Sequence, residues 1–233
     1  MNNIQNYYTQ EEAQAVQSTF ISKVYTWMTG ALLLTAIIAQ YVASTPELLN
    51  QILGNRMMFF GLIIAQLGMV WYLSARINRI DASTATALFI GYAALNGLTL
   101  SVVFIAYTMQ SIATTFYVTA GTFAVMSAYG YFTKSDLTRV GNLAFMALIG
   151  IIIASVVNMF LRSETLYWII TYAGVLIFVG LVAYDTQKIK QMSLQLEGNV
   201  EGEKKGAVMG ALMLYLDFIN LFLYLLRLLG DRR

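Results

Sequence analysis

Residues 206–226 read GAVMGALMLYLDFINLFLYLL, a mostly apolar run whose only charged residue is Asp217. A helix of about 20 apolar residues is long enough to cross the hydrocarbon core of a bilayer. A carboxylate in such a helix costs a few kcal/mol on insertion scales, and it persists where it faces a protein interior or a water-filled path. We therefore interpret Asp217 as a functional residue and look for its partner.

The composition is that of an integral membrane protein. Of the 233 residues, 58% are hydrophobic and 11% charged, whereas soluble domains carry about 25% charge. The chain has no cysteine and no histidine, which excludes disulfides, thiol chemistry, Ser-His catalysis and histidine-ligated metals. Residues 1–22 are polar and carry no basic residue. We expect a short cytosolic tail there, followed by an apolar segment that acts as signal anchor.

Charged residues divide the chain into seven apolar segments, and none of the connections is long enough to separate two domains. We therefore expect one seven-helix transmembrane domain over residues 1–233. The segments are 24–43, 57–75, one within 82–109, 112–133, 140–161, 165–184 and 206–229.

The loop charges predict the orientation of these helices. With the N-terminus in the cytoplasm, the inner loops carry nine Lys or Arg residues and the outer ones five, as the positive-inside rule requires. The C-terminus is then outside. The nine inner residues are Lys23, Arg76, Arg79, Lys134, Arg139, Lys188, Lys190, Lys204 and Lys205.

Helical spacing places the polar residues of the last segment on one face. Residues three, four and seven apart share a face of a helix, so Gly210, Met213, Asp217, Asn220 and Tyr224 form one stripe. Lipid offers no hydrogen-bond partner. We therefore expect this stripe to face the interior of the helix bundle.

Asp185, in AYDTQKIK (residues 183–190), is the nearest candidate partner of Asp217 in the sequence. Segments six and seven form an antiparallel hairpin, in which residues equidistant from the turn lie at equal height. The midpoint of 185 and 217 is 201, inside a turn signal formed by Gly198, Asn199 and Gly202. The spacing therefore predicts that the two carboxyl groups are level.

Two adjacent carboxyl groups cannot both be ionised cheaply, so such a pair shares one proton. When both are charged, they offer the hard oxygen ligands that Ca²⁺ prefers. The alternative for Asp185 is an exposed acid at a helix end, paired with Lys188 three residues further on. The spacing alone does not decide between these two interpretations.

Other polar residues in the apolar segments give weaker signals. For Asn96 and Asn158 we favour hydrogen bonds between helices, and the alternative is that they face a pore, as we expect of Asn220 and Tyr224. The glycines Gly206 and Gly210 indicate a helix contact face. They are separated by three residues.

Two arginines, Arg76 and Arg79, end the second segment. They are typical of anchors whose charged heads reach the membrane surface. The alternative is that one of them reaches an ionised aspartate at the inner mouth.

Two long motifs, LYLDFINLFLYLLRLLG (residues 214–230) and AYDTQKIK (residues 183–190), resemble the acidic signatures of the Bax inhibitor-1 family. The shorter KSDL (134–137) and VNMF (157–160) fit the same family. The segment layout matches that family along the whole chain. Three further stretches closely resemble its YbhL-type bacterial branch: GLIIAQL (61–67), TAGTFAVMSAYGY (119–131) and FMALIGI (145–151).

This resemblance implies a bundle of seven transmembrane helices with the last helix central and the other six wrapped around it. It also implies a pH-sensitive Ca²⁺ leak in a bacterial inner membrane. The family's two aspartates map onto Asp185 and Asp217, which would share a proton, gate the pore from the cytosolic side and contact Ca²⁺ transiently. An arginine at the inner end of the second helix, Arg76 or Arg79, would latch the pair.

Two other functions stay open at this stage. One is a non-conducting regulator that binds another membrane protein, such as a membrane protease. The other is an intramembrane aspartyl protease, for which Tyr184 and Asp185 fit, although Asp217 lacks the preceding glycines and Pro46 is the only proline. We expect no enzyme, no cofactor and no nucleic-acid partner, with the lipid bilayer and Ca²⁺ as the main partners.

Overall fold

The computed structural model describes residues 9–232, which are helical apart from short connections. Within that range no strand occurs, and the one sheet-like contact is an antiparallel bridge between Tyr107 and Arg232. The predicted all-α class is confirmed. The helices are α1 (Gln10–Ala43), α2 (Pro46–Gly54), α3 (Arg56–Arg76), α4 (Ala82–Ala106), α5 (Met109–Phe132), α6 (Thr138–Leu161), α7 (Glu164–Leu196) and α8 (Val200–Leu229).

Six of these helices, α1, α3, α4, α6, α7 and α8, are long and apolar enough to cross a membrane. Each of them contains one of the predicted apolar segments. Large apolar side chains are exposed along these helices, among them Ile64, Trp71, Met146 and Phe160. The prediction of a helical protein that crosses the membrane several times is therefore confirmed.

The predicted segment 112–133 coincides with α5, which is not among the six apolar helices. Threonine, serine and glycine lower its hydropathy, and these small residues line its buried face. The exposed side still carries large apolar groups, including Tyr117 and Val125. The small buried residues are Ser111, Thr115, Thr119, Ser127 and Gly130.

The first helix begins well before its apolar run. Thr9 caps α1 by accepting from the Glu12 amide, and the Glu12 side chain accepts from the Thr9 amide, which is a capping box. Residues 10–22 of the expected tail are therefore helical. Residues 1–8 lie outside the described part of the chain.

A short helix, α2, lies between the first two long ones. Pro46 stands in its first turn, where a missing N–H costs nothing. Asn55 then caps α3 by accepting from the amides of Met57 and Met58, both at 3.1 Å. This element was not predicted because it is too short to register as a membrane segment.

The tertiary contacts divide the chain into two compact units. The first comprises residues 9–106 and Lys190–Tyr215. In it α1 and α4 approach closely: a Cβ on Gly97 would lie 2.8 Å from the Thr35 carbonyl oxygen. Gly206 is similarly close to Leu196, since a Cβ there would lie 2.3 Å from its Cδ1. Gly206 therefore lies on a contact face, as its spacing indicates.

The second unit comprises Tyr107–Ile189 and Leu216–Arg232. Its core is formed by α6, α7 and α8. The Phe218 ring of α8 packs edge-on against Phe116 and Phe123 of α5, with centroids 5.5 and 5.4 Å away. The core residues are Ala144, Ile151, Ile170, Ile177, Phe178, Leu181, Leu221 and Leu225.

Candidate functional site: a buried carboxyl pair

Two acidic side chains, Asp185 of α7 and Asp217 of α8, meet in the second unit. The two carboxyl groups lie close enough for a side-chain hydrogen bond, and they are only 5% and 4% exposed. An ionised carboxylate can accept hydrogen bonds but cannot donate one. A hydrogen bond between the two groups therefore requires that one of them be protonated, and the shared proton stays a prediction.

The pair is not fully satisfied by its surroundings. Asp185 Oδ1 and Asp217 Oδ2 are buried and have no hydrogen-bond partner among the described residues. A buried polar atom without a partner costs about 1–3 kcal/mol. Such atoms are rare in folded proteins, and each calls for an explanation beyond packing.

Two glycines bring neighbouring helices against α7 next to Asp185. A Cβ on Gly130 of α5 would lie 2.2 Å from the Ala183 carbonyl oxygen. A Cβ on Gly141 of α6 would lie 2.5 Å from the Tyr184 ring. Because both distances are far below van der Waals contact, only glycine fits at these positions, and the backbone before Asp185 is held between α5 and α6.

Polar anchors fix α7 on the other side of Asp185. The Gln187 amide nitrogen donates to the Ser135 carbonyl at 2.8 Å, and its amide oxygen accepts from the Leu137 N–H at 2.9 Å. The Thr186 hydroxyl donates to the Val182 carbonyl at 2.7 Å. Gln187 thus ties α7 to the α5–α6 loop, two residues from the carboxyl pair.

The interpretation of Asp185 as an exposed acid at a helix end is wrong. Asp185 is buried, and α7 continues beyond it to Leu196. Lys188 is exposed, acts on Asp185 through its charge, and lies with its ammonium 5.9 Å from the centroid of the Tyr184 ring. Asp185 therefore lies buried next to Asp217, with Lys188 as a nearby cation.

The hairpin turn lies earlier than its predicted midpoint at residue 201. Gly198 has φ +80°, the left-handed conformation that favours glycine, and α8 begins at Val200. Gly202 is therefore helical. Asp185 and Asp217 therefore approach each other although they do not lie at equal distances from the turn.

Arg76 is the last residue of α3, and Arg79 lies in the turn that follows. Both side chains are exposed, and neither forms an ion pair with a described residue. A latch between one of these arginines and the aspartates stays a prediction.

Three of the four residues predicted to face a pore have local partners. Asn220 donates to the Leu216 carbonyl of its own helix at 2.8 Å. Tyr224 stacks on Phe178, with ring centroids 5.8 Å apart. Asn158 accepts from the Ser163 N–H at 2.9 Å, at the end of α6. Their exposure to a pore stays a prediction.

The fourth residue, Asn96, forms the hydrogen bond between helices that the sequence favours. Its partner Tyr215, in a cluster of the first unit, was not predicted. Tyr215 is fully buried, and its hydroxyl lies 2.9 Å from Asn96 Nδ2 and 2.7 Å from the Thr35 hydroxyl. Thr35 also donates to the Ala93 carbonyl at 2.8 Å. A tyrosine two residues before Asp217 was an available signal, since a buried tyrosine hydroxyl needs a partner.

We expect Tyr215→Phe to lower the free energy of unfolding by about 1–2 kcal/mol, because Asn96 then loses its acceptor. Thermal unfolding of the detergent-solubilised protein measures this. Tyr117→Phe is the matched control, since Tyr117 is 75% exposed. Equal melting temperatures for the two variants would show that the cluster contributes nothing.

The acids outside the helices differ from the buried pair. Hydrogen bonds from Thr138 hold the pKa of the Asp136 carboxyl below its usual value. Hydrogen bonds from Ser83 and Thr84 do the same for the pKa of Asp81. Both groups are ionised at neutral pH and do not titrate there.

The helices and the buried acids together define a multi-pass membrane protein with an acidic site between two apolar helices. The family described as "Inhibitor of apoptosis-promoting Bax1" matches residues 17–233, nearly the whole chain. The chain belongs to this Bax inhibitor family. The resemblance carried by residues 183–190 and 214–230 is thereby confirmed.

The relatives match the chain over almost its full length. Inner membrane protein YbhL of Escherichia coli (strain K12) is 53% identical over 223 residues, 95% of each chain. An uncharacterized protein of Borreliella burgdorferi is 48% identical over 226 residues, 97% of each chain. Uncharacterized protein RP147 of Rickettsia prowazekii is 45% identical, over 92% of this chain and 90% of its own length.

Proposed function

We propose that the protein is a pH-sensitive Ca²⁺ leak channel whose gate is the Asp185–Asp217 pair. The observation that carries this proposal is the close approach of two buried carboxyl groups on neighbouring helices. With one shared proton the groups hold together. Loss of that proton leaves two negative charges in contact in a medium of low dielectric constant, where they repel strongly. Deprotonation therefore opens the gate.

Calcium is the cargo of this gate. Ca²⁺ sites that retain the ion supply six to eight oxygen ligands. Residues 9–232 contain no group of three or more His, Cys, Asp or Glu side chains placed to hold a metal ion. Two carboxylates are suited to a brief contact with a passing ion, and an ion that leaves quickly is what conduction needs.

The proposed membrane arrangement has seven spans, with α5 as the additional one and α8 at the centre. In α8, 61% of its apolar 18-residue stretch is buried, which is the largest buried share among the six apolar helices. The loop charges support a cytoplasmic N-terminus and an external C-terminus. The name of the Escherichia coli relative supports an inner-membrane location.

Calcium flux into proteoliposomes should rise with pH. A gate that releases one proton changes its open fraction by at most about tenfold per pH unit. Empty liposomes and the variant Glu47→Gln serve as controls, since Glu47 is an exposed acid in the first turn of α2. The control variant should keep the wild-type pH profile, because Glu47 is exposed and lies outside the carboxyl pair.

Two outcomes would contradict the proposal. Absence of flux at every pH, together with co-purification of a stoichiometric membrane protein, would favour a non-conducting regulator. Cleavage of a transmembrane substrate by the purified protein would instead identify the carboxyl pair as a protease dyad.

A further inference from the structure

A cavity of about 540 Å³ in the second unit concentrates positive charge. The end of α6, the start of α7 and the end of α8 line it, with three arginines, Arg162, Arg227 and Arg232, and a single acid, Glu164. Its volume is within the range of about 300–1,000 Å³ that small-ligand pockets occupy. The carboxyl pair contributes no residue to it.

Tyr167 holds two of the three guanidinium groups in place. The Arg227 guanidinium lies 5.0 Å from the centroid of the Tyr167 ring, and that of Arg232 lies 5.6 Å from it. Arg232 also donates a hydrogen bond to the Tyr167 hydroxyl. A guanidinium stacked on an aromatic ring uses its face for that contact. The edge N–H groups of Arg227 therefore stay available to an acceptor in the cavity, and Arg232 keeps those N–H groups that do not bind tyrosine.

Arg162 occupies a backbone position where glycine is favoured. It follows α6 with φ 50° and ψ 34°, and it is the one described non-glycine residue with positive φ. This left-handed conformation costs an ordinary residue roughly 1–2 kcal/mol, and helices commonly place glycine there. A cation is favourable at a helix C-terminus, but it can be placed in the last turn without this strain. The strained backbone therefore indicates that the Arg162 side chain acts in the cavity, which it lines.

We propose that this cavity binds a phosphate group. The N–H edge of a guanidinium group matches the geometry of phosphate oxygens and binds them through paired hydrogen bonds. The three positive charges of the arginines also outnumber the one negative charge of Glu164. The cavity also contains the start of α7, where backbone N–H groups favour an anion. The phosphate has two possible sources, an anionic phospholipid headgroup and a soluble phosphate compound. Exposed Trp168 in the lining is typical of a membrane interface and favours the headgroup.

Thermal unfolding of the full-length protein in detergent, with phosphatidylglycerol, phosphatidylcholine or inorganic phosphate added, tests the site. We expect phosphatidylglycerol to raise the melting temperature more than phosphatidylcholine does. The phosphatidylglycerol concentration for half the effect should rise at least roughly tenfold in Arg162→Gln and in Arg232→Gln. Protection by phosphatidylglycerol alone identifies the lipid headgroup. Equal protection by inorganic phosphate, lost in the same variants, identifies a soluble ligand of the same site.

Two further variants separate binding from folding. Arg162→Gly should keep or raise the melting temperature in phosphatidylcholine, because it removes the backbone strain, and should still lose the phosphatidylglycerol effect. Arg56→Gln is the matched control, an exposed arginine stacked at 5.9 Å on Phe60 in the other unit. A phosphatidylglycerol effect that persists in Arg162→Gly, or that Arg56→Gln reduces as strongly, would overturn the proposal. So would the absence of any effect of phosphatidylglycerol and phosphate on the wild-type protein.

Discussion

Gly130→Ala should destabilise the protein by about 3 kcal/mol or more, which corresponds to a fall of roughly 10 °C in melting temperature for a chain of this size. The added Cβ would lie 2.2 Å from the Ala183 carbonyl oxygen and 3.0 Å from its Cα. Those atoms are backbone and cannot move aside as the end of a flexible side chain can. The helix α7 must therefore shift, and with it Asp185, two residues further on.

Gly121→Ala on the same helix is the matched control for this prediction. A Cβ at Gly121 would meet nothing within 4 Å, so the substitution should be neutral or stabilise α5 through the higher helix propensity of alanine, by at most about 1 kcal/mol. Thermal unfolding in one detergent measures both variants. Equal melting temperatures would show that α5 and α7 do not approach as closely at Gly130 as the structure indicates.

The long helices could be predicted because apolar residues define them directly, but their ends outside the apolar runs could not. Segment six was expected to end at residue 184, whereas α7 continues to Leu196. The extension contains Lys, Gln, Leu and Met, which favour helix, but its Asp, Lys and Gln residues interrupt the apolar run that predicts a membrane segment. The helix ends where Gly198 adopts its positive φ. The same cause made α1 begin earlier than its apolar run.

The two acids of the candidate site could be predicted because a charge in an apolar helix is costly and a hairpin brings neighbouring helices together. The residues that hold them could not. Gln187 reaches Ser135, and Gly130 meets Ala183, and both contacts join positions about fifty residues apart in the chain. No local pattern encodes such contacts.

The arginines around Tyr167 were not predicted to form a site either. Arg162 and Arg227 counted only as loop charges that indicate orientation. A shared tyrosine ring connects Arg227 with Arg232, and that connection exists only in the folded chain. A cavity formed by three helix ends has no signature in a single segment.

Asp185→Asn and Asp217→Asn should each remove most of the pH dependence of Ca²⁺ flux, from at most about tenfold per pH unit in the wild type to less than about twofold. An asparagine amide donates to the remaining carboxylate, so the pair stays hydrogen bonded without a proton. Two negative charges can no longer meet at any pH. Flux in proteoliposomes should therefore stay near its low acidic value across the range.

The double variant Asp185→Asn/Asp217→Asn determines whether one proton is shared. If the two carboxyls act as one unit, each single substitution already removes the pH response, and the double variant loses no more of it. Groups that act as a unit are strongly non-additive in this way. Two independent acids would behave differently: each single variant would keep part of the slope, and only the double variant would be flat. That additive pattern would contradict a shared proton, even though the carboxyl groups lie in contact.

The variant Asp217→Leu distinguishes loss of the proton from loss of the contact. Leucine leaves Asp185 without its hydrogen-bond partner in a buried position, while Lys188 remains its nearby cation. The hydrogen bond that holds α7 and α8 together at this point is then absent at every pH. We expect a flux that is independent of pH, as in Asp217→Asn, but higher than the low value of that variant. If the leucine and asparagine variants show the same low flux, the hydrogen bond between the helices does not hold the gate closed.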